Sequence, residues 1–325
     1  MEDSIFQNRI DLTALNEQVK KIKEEIGKVI VGQESMVELL ITAILADGHV
    51  LIEGVPGVAK TLTAKLISRI ISADFSRIQF TPDLMPSDVL GTSVFNLKTS
   101  EFDFRPGPVF SNIILIDEIN RAPAKTQAAL FEVMEERQVT IDGLTHKMKT
   151  PYIVLATQNP IEHEGTYRLP EAQLDRFLFK VVASYPSLEE EIEIINRHHL
   201  RKGVQAVSEV SALITAQQII QFRQFAQQVH IESNLVSYIA QIIQATRSNS
   251  MLFLGASPRA SIAILNSAKA YAIINGHDFV NPEDIKFVAL PVLRHRIILS
   301  PEKEMEGASA DEVVKQIIDK VEVPR

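Results

Sequence analysis

A chain of 325 residues, 46% hydrophobic and 23% charged, is long enough for about two domains that each bury a core. It has no cysteine, which removes disulfides, thiolate nucleophiles and Cys-ligated zinc, and no apolar run is long enough to cross a bilayer. The net charge of −8 and the absence of long Lys/Arg runs argue against broad attraction to nucleic acid, and the first residues lack a secretory pattern, so a cytoplasmic protein is expected.

Leu12, Leu15, Val19, Ile22, Ile26, Val29 and Ile30 recur at helical spacing and predict a helix over 12–30. Val31-Gly32-Gln33 breaks it, and a helical pattern resumes over 34–46. Val50-Leu51-Ile52 then reads as a buried strand running into Glu53-Gly54-Val55-Pro56-Gly57-Val58-Ala59-Lys60-Thr61. A strand, a glycine-bearing loop and a helix over 60–71 aim backbone N–H groups and a helix N-terminus at one spot, as a bound phosphate requires. In such a cradle Lys60 reaches the β- and γ-phosphates and the Thr61 hydroxyl ligates Mg²⁺. The loop departs from the strict pattern at Ala59, where glycine is usual. Ala59 is therefore expected at negative φ, with helical dihedrals, where a Cβ causes no clash.

A strand over 75–80 leads into a Pro- and Gly-punctuated stretch, 81–108. Ile113 to Ile116 is continuously apolar, as a parallel strand buried on both faces should be, and it ends in Asp117 and Glu118. Carboxylates at the carboxyl end of a parallel strand face the crevice where ligands bind. Asp117 is placed to hold Mg²⁺ through its water shell and Glu118 to orient the water that attacks the γ-phosphate.

A helix over 123–136 precedes Gln138 to Lys149, whose Asp142-Gly143 signals a tight hairpin. The next strand, 152–156, ends in Thr157-Gln158-Asn159-Pro160, where the Asn159 amide can hydrogen-bond the γ-phosphate or the attacking water. Leu174-Asp175-Arg176-Phe177 sets an arginine before a last strand, 178–182. This alternation predicts an α/β fold, a parallel β-sheet flanked by helices.

From Tyr185-Pro186-Ser187 onward the strand signal vanishes. Helical patterns over 188–201, 215–228, 232–248, 257–274 and 282–289, with an amphipathic stretch at 313–321, predict a smaller, all-helical second domain. The expected division is a nucleotide-binding domain, 1–186, and a helical lid, 187–325.

These motifs, in this order, with Asp117-Glu118-Ile119-Asn120-Arg121-Ala122, Leu169 to Phe177 and Gly255-Ala256-Ser257-Pro258-Arg259, resemble an AAA+ P-loop ATPase and, more narrowly, the MoxR family. The resemblance spans about residues 10–300 and implies ATP and Mg²⁺ as ligands. It implies that Gly54, Val55, Pro56, Gly57, Val58, Ala59, Lys60, Thr61 and Leu62 form the Walker A site, while Val31, Gly32 and Gln33 contact the adenine. Asp117 and Glu118 match Walker B, and Asn159 the first sensor. Arg176 matches the arginine finger, which acts on a neighbour's nucleotide, and Arg259 the second sensor on the lid.

The resemblance further implies a homo-oligomer, a hexameric ring that remodels a protein client, and a partner carrying a von Willebrand factor A domain. A DNA-associated motor and a non-hydrolysing nucleotide switch stay open as alternatives. For Arg176 the competing reading is a surface ion pair with Asp175 or Glu171. Arg121 and Arg168 face either a subunit boundary or a structural partner. His163, His198 and His199 lack the spacing of metal ligands, and Arg294-His295-Arg296 reads as the end of a helix.

Overall fold

In the computed structural model, which describes residues 12–55, 57–160, 166–201 and 205–324, two helices come first, α1 (Thr13–Gly27) and α2 (Glu34–Leu45). They are followed by β1 (His49–Gly54), α3 (Lys60–Ile70) and β2 (Phe75–Gln79). The punctuated stretch after β2 folds into a short helix, α4 (Pro86–Leu90), and a hairpin of β3 (Gly91–Asn96) and β4 (Glu101–Pro106). Next come β5 (Ile113–Asp117), α5 (Ala124–Glu136) and the expected hairpin of β6 (Gln138–Ile141) and β7 (Leu144–Lys147). This half closes with β8 (Ile153–Gln158), the one-turn α6 (Glu171–Leu174) and β9 (Phe177–Ala183).

The second half contains α7 (Leu188–Arg201), α8 (Ala216–Gln228), α9 (Ser233–Arg247) and β10 (Leu252–Leu254). It continues with α10 (Pro258–Ile274), α11 (Pro282–Leu293), β11 (Ile298–Leu299), α12 (Pro301–Met305) and α13 (Ala310–Lys320). Two expectations need correcting here. The region is not purely helical, because β10 and β11 pair antiparallel; segments so short carry no periodicity to read. And α11 runs past residue 289 through the buried Pro291 to Leu293, its apolar face outweighing the lost backbone donor.

One five-stranded sheet carries the molecule, in the order β2-β5-β8-β1-β9, with every pairing parallel. Its central strands are apolar on both faces, and alternation divides them between two cores. Ile113, Leu115, Ile153 and Leu155 join a core with α1, α2, α3 and the second-half helices, while Ile114, Ile116, Val154 and Ala156 face α5. Helix α2 is buried almost all round, with Met36, Leu40 and Ile44 among its buried residues, because it lies between β9 and the helices α8 and α10. Among the described residues no helix is long and apolar enough to cross a membrane.

Candidate functional site

The loop after β1 approaches β9 so closely that a Cβ on Gly54 would lie 2.8 Å from the Ala183 carbonyl oxygen, so only glycine fits there. Ala59 overturns the expectation of helical dihedrals: it caps α3 at φ 59°, ψ 16°, in the left-handed region. This conformation, at the residue that caps the start of α3, costs an alanine about 1–2 kcal/mol. The Ala59 carbonyl is held by both the backbone N–H (2.9 Å) and the hydroxyl (3.0 Å) of Thr63. Val58 is buried, Val55 and Leu62 pack against the same core, and Pro56 lies outside the described residues. The Lys60 ammonium crosses the mouth of the loop, donating to the Gly54 carbonyl and to that of Gln158 (3.4 Å).

Asp117 is buried at the end of β5, where its Oδ1 accepts from the hydroxyls of Thr61 and Thr157, each at 3.1 Å. Its Oδ2 accepts from Arg77 Nε at 2.6 Å. The Thr157 hydroxyl also accepts from the backbone N–H of Glu118 (3.1 Å), so one side chain at the end of β8 fixes both acidic positions. Glu118 itself is left-handed, at φ 58°, ψ 52°. Its Oε2 accepts from Gln79 Nε2 (3.0 Å) and pairs with Arg121 Nε at 2.9 Å. Asn159 is buried one residue past β8. A hydroxyl and a carboxylate facing each other are an all-oxygen donor set that fits Mg²⁺.

Sequence reasoning gave Arg77, Gln79 and Thr157 no role. Their signal is register: Gln79 pairs with Asp117 across β2 and β5, and alternation puts Arg77 on the same face. Val31, Gly32 and Gln33 lie beside the loop through β9, with Gln33 Nε2 donating to the Ser184 carbonyl at 2.7 Å. Ala183, just before it, pairs with Gly54. A cleft of about 570 Å³ opens along Ile26, Ile30, Val31, Gly32, Glu190 and Arg197.

Arg176 and Arg259 stand elsewhere. Phe177, next to Arg176, pairs with His49 at the start of β1, whereas the loop leaves from Gly54 at its end. Five strand residues at about 3.3 Å each separate the two edges by roughly 16 Å. Arg176 donates to the Phe131 carbonyl and its Nε lies 3.8 Å from Glu135 Oε2, while Arg259 Nη2 meets Glu135 Oε1 at 2.8 Å. The alternative pairings of Arg176 with Asp175 or Glu171 are not formed.

Asp175 belongs instead to Arg296, a buried clamp that donates to the Asp175 carboxylate (2.6 Å) and to the carbonyls of Phe177 (2.6 Å) and Val292 (2.6 Å). Arg168 pairs with Glu171 at 3.6 Å on the surface. His198 and His199 are exposed, His163 lies outside the described residues, and no metal-holding cluster of His, Asp and Glu occurs among the described residues.

Residues 49–179 match the model of the ATPase family associated with various cellular activities (AAA), and residues 244–317 match an AAA lid domain. Chaperone MoxR1 of Mycobacterium tuberculosis is 44% identical over 310 residues, covering 93% of this chain and 81% of its own. The chain belongs to the MoxR family of AAA+ ATPases. Protein MoxR of Methylorubrum extorquens is 28% identical over 337 residues, covering 96% of this chain and 97% of its own. The uncharacterized protein YeaC of Bacillus subtilis is 47% identical over 304 residues, 94% of either chain. A crystal structure from Cytophaga hutchinsonii, of a protein described as a candidate ATPase, superposes with a TM-score of 0.89 at 43% identity over 97% of both chains. The expected α/β core with a helical lid is thus the fold of this MoxR-family chain.

Proposed function

We propose that the chain binds Mg²⁺·ATP between the loop at residues 54–62 and the acids Asp117 and Glu118, and hydrolyses it in a homo-oligomeric ring of six subunits. In this reading Lys60 and the loop N–H groups hold the phosphates, and Thr61 with Asp117 holds Mg²⁺, which neutralises developing charge. Glu118 and Asn159 orient the attacking water, and Val31, Gly32 and Gln33 flank the adenine. The observation that carries the proposal is the register of β9 on β1, which sets Arg176 beside the start of β1 while the loop of its own subunit leaves the other end, roughly 16 Å along the strand and farther than an arginine side chain reaches. In this reading Arg176 serves the nucleotide of a neighbouring subunit, where a transition-state arginine contributes about 10³–10⁵ in rate, and Arg259, which meets the same Glu135, acts beside it.

The rest of the proposal concerns the client. The two hairpins carry exposed Phe95, Leu97, Phe102 and Leu144 and are joined by a Ser93–Asp142 hydrogen bond and a stack of Phe104 on His146 at 4.3 Å. Such a rigid apolar rim suits a protein client. The relative named as a chaperone supports a remodelling role, and a protein with a von Willebrand factor A domain is the partner class implied by family resemblance. The domain division near residue 186 and action in the cytoplasm belong to the same proposal.

The test is the ATPase rate per subunit against protein concentration. The expected rate rises steeply as subunits associate. A rate independent of concentration, and unaffected by Arg176→Ala, contradicts the proposal.

A further inference from the structure

Glu135 is the next-to-last residue of α5, at the end of a helix where the macrodipole favours cations over carboxylates. For Glu135 two cations offset that cost. Each of its oxygens meets a different guanidinium, Arg259 Nη2 at 2.8 Å and Arg176 Nε at 3.8 Å. These arginines come from different parts of the chain, one just before β9 and the other at the second position of α10.

The arginine beside them is of another kind. Arg296 is only 4% exposed and its donors are spent on Asp175 and backbone carbonyls, so it fixes the corner from which Arg176 projects. Arg176 and Arg259 keep 30% and 56% of their side chains exposed. Two partly exposed cations thus share one carboxylate, leaving an excess positive charge at the rim. Guanidinium forks take carboxylate and phosphate with the same geometry, so a phosphate can replace Glu135 without rebuilding the pair.

We propose that Glu135 is a positioning residue that holds Arg176 and Arg259 together and releases them to the triphosphate bound by a neighbouring subunit. This rests on the reading that the two arginines act between subunits. Without Glu135 the two cations repel and separate, so phosphate must gather them at the moment of reaction.

The experiment measures kcat, KM for ATP and assembly with a non-hydrolysable ATP analogue for Glu135→Ala and the isosteric Glu135→Gln. Each change is made in the wild-type chain and in the Arg176→Ala/Arg259→Ala chain. Melting temperature confirms folding, and if Glu135→Ala fails to fold the Gln variant decides. The expected result is a loss of about tenfold in kcat with KM within about twofold, and an assembly midpoint at about tenfold higher protein. In the double-arginine background the same change has no further effect, because neighbours acting as a unit are not additive. An unchanged or raised kcat, or losses that multiply, overturns the role of Glu135. If the double-arginine chain itself keeps the wild-type rate, the intersubunit reading fails, and this inference with it.

Discussion

Replacing Arg77 by methionine separates charge from volume at Asp117, the carboxylate proposed to hold Mg²⁺. The Asp117 side chain is 7% exposed and that of Arg77 46%, and they meet at 2.6 Å. With charge centres about 4 Å apart and an effective dielectric near 20, the attraction is about 4 kcal/mol, and exposure of the arginine reduces it to roughly 2 kcal/mol. For 325 residues, 1 kcal/mol corresponds to about 1.5 °C in Tm, so Arg77→Met should lower Tm by about 3 °C in metal-free buffer. Mg²⁺ with ADP restores a cation beside Asp117, so most of that deficit should disappear when both are present. Thermal unfolding with and without Mg²⁺·ADP reads both effects. An unchanged Tm, or a deficit of the same size in both conditions, refutes the reasoning.

Glu118→Gln should keep ATP affinity within about twofold while turnover falls by about 10² or more, as judged by equilibrium binding beside a phosphate-release assay. Arg296→Ala leaves the partly buried Asp175 without its partner and should cost about 3–5 kcal/mol in urea unfolding, well above the cost of removing exposed Arg168. Acid should destabilise the fold before carboxylates titrate. Complete burial lowers the pKa of His49 from 6.5 to about 4, and burial holds His295 well below its usual value. Both stay neutral in the folded chain, so stability falls as pH drops below 6.5: for His49 by about 1.4 kcal/mol per pH unit toward pH 4, with His295 acting in the same direction. Stability measured at pH 7 and pH 5 tests this, and equal values contradict it.

Much of the candidate site was legible because its residues are local in sequence. Gly54 to Thr61 and Asp117-Glu118 are contiguous runs at strand ends, and a single chain shows both the residue types and the strand that delivers them. What depends on pairing was not legible. Arg77 and Gln79 reach the acids only because β2 lies beside β5, and Glu135 meets two arginines only because the end of α5 comes beside the starts of β9 and α10. Ala59 failed for a different reason. Steric preference argues for negative φ, but the turn into α3 fixes its backbone, and the local cost is carried by the surrounding hydrogen bonds. The small β10–β11 sheet joins segments too short to announce themselves.

Mixing two inactive variants tests the shared site most directly. Glu118→Gln subunits keep their arginines but lack the acid proposed to orient water, whereas Arg176→Ala subunits keep the acid but lack the arginine. Mixed in equal amounts, they should hydrolyse ATP many times faster than the average of the two alone, because some interfaces then join an intact acid to an intact arginine. A mixture no faster than that average would mean that each subunit works, or fails, by itself.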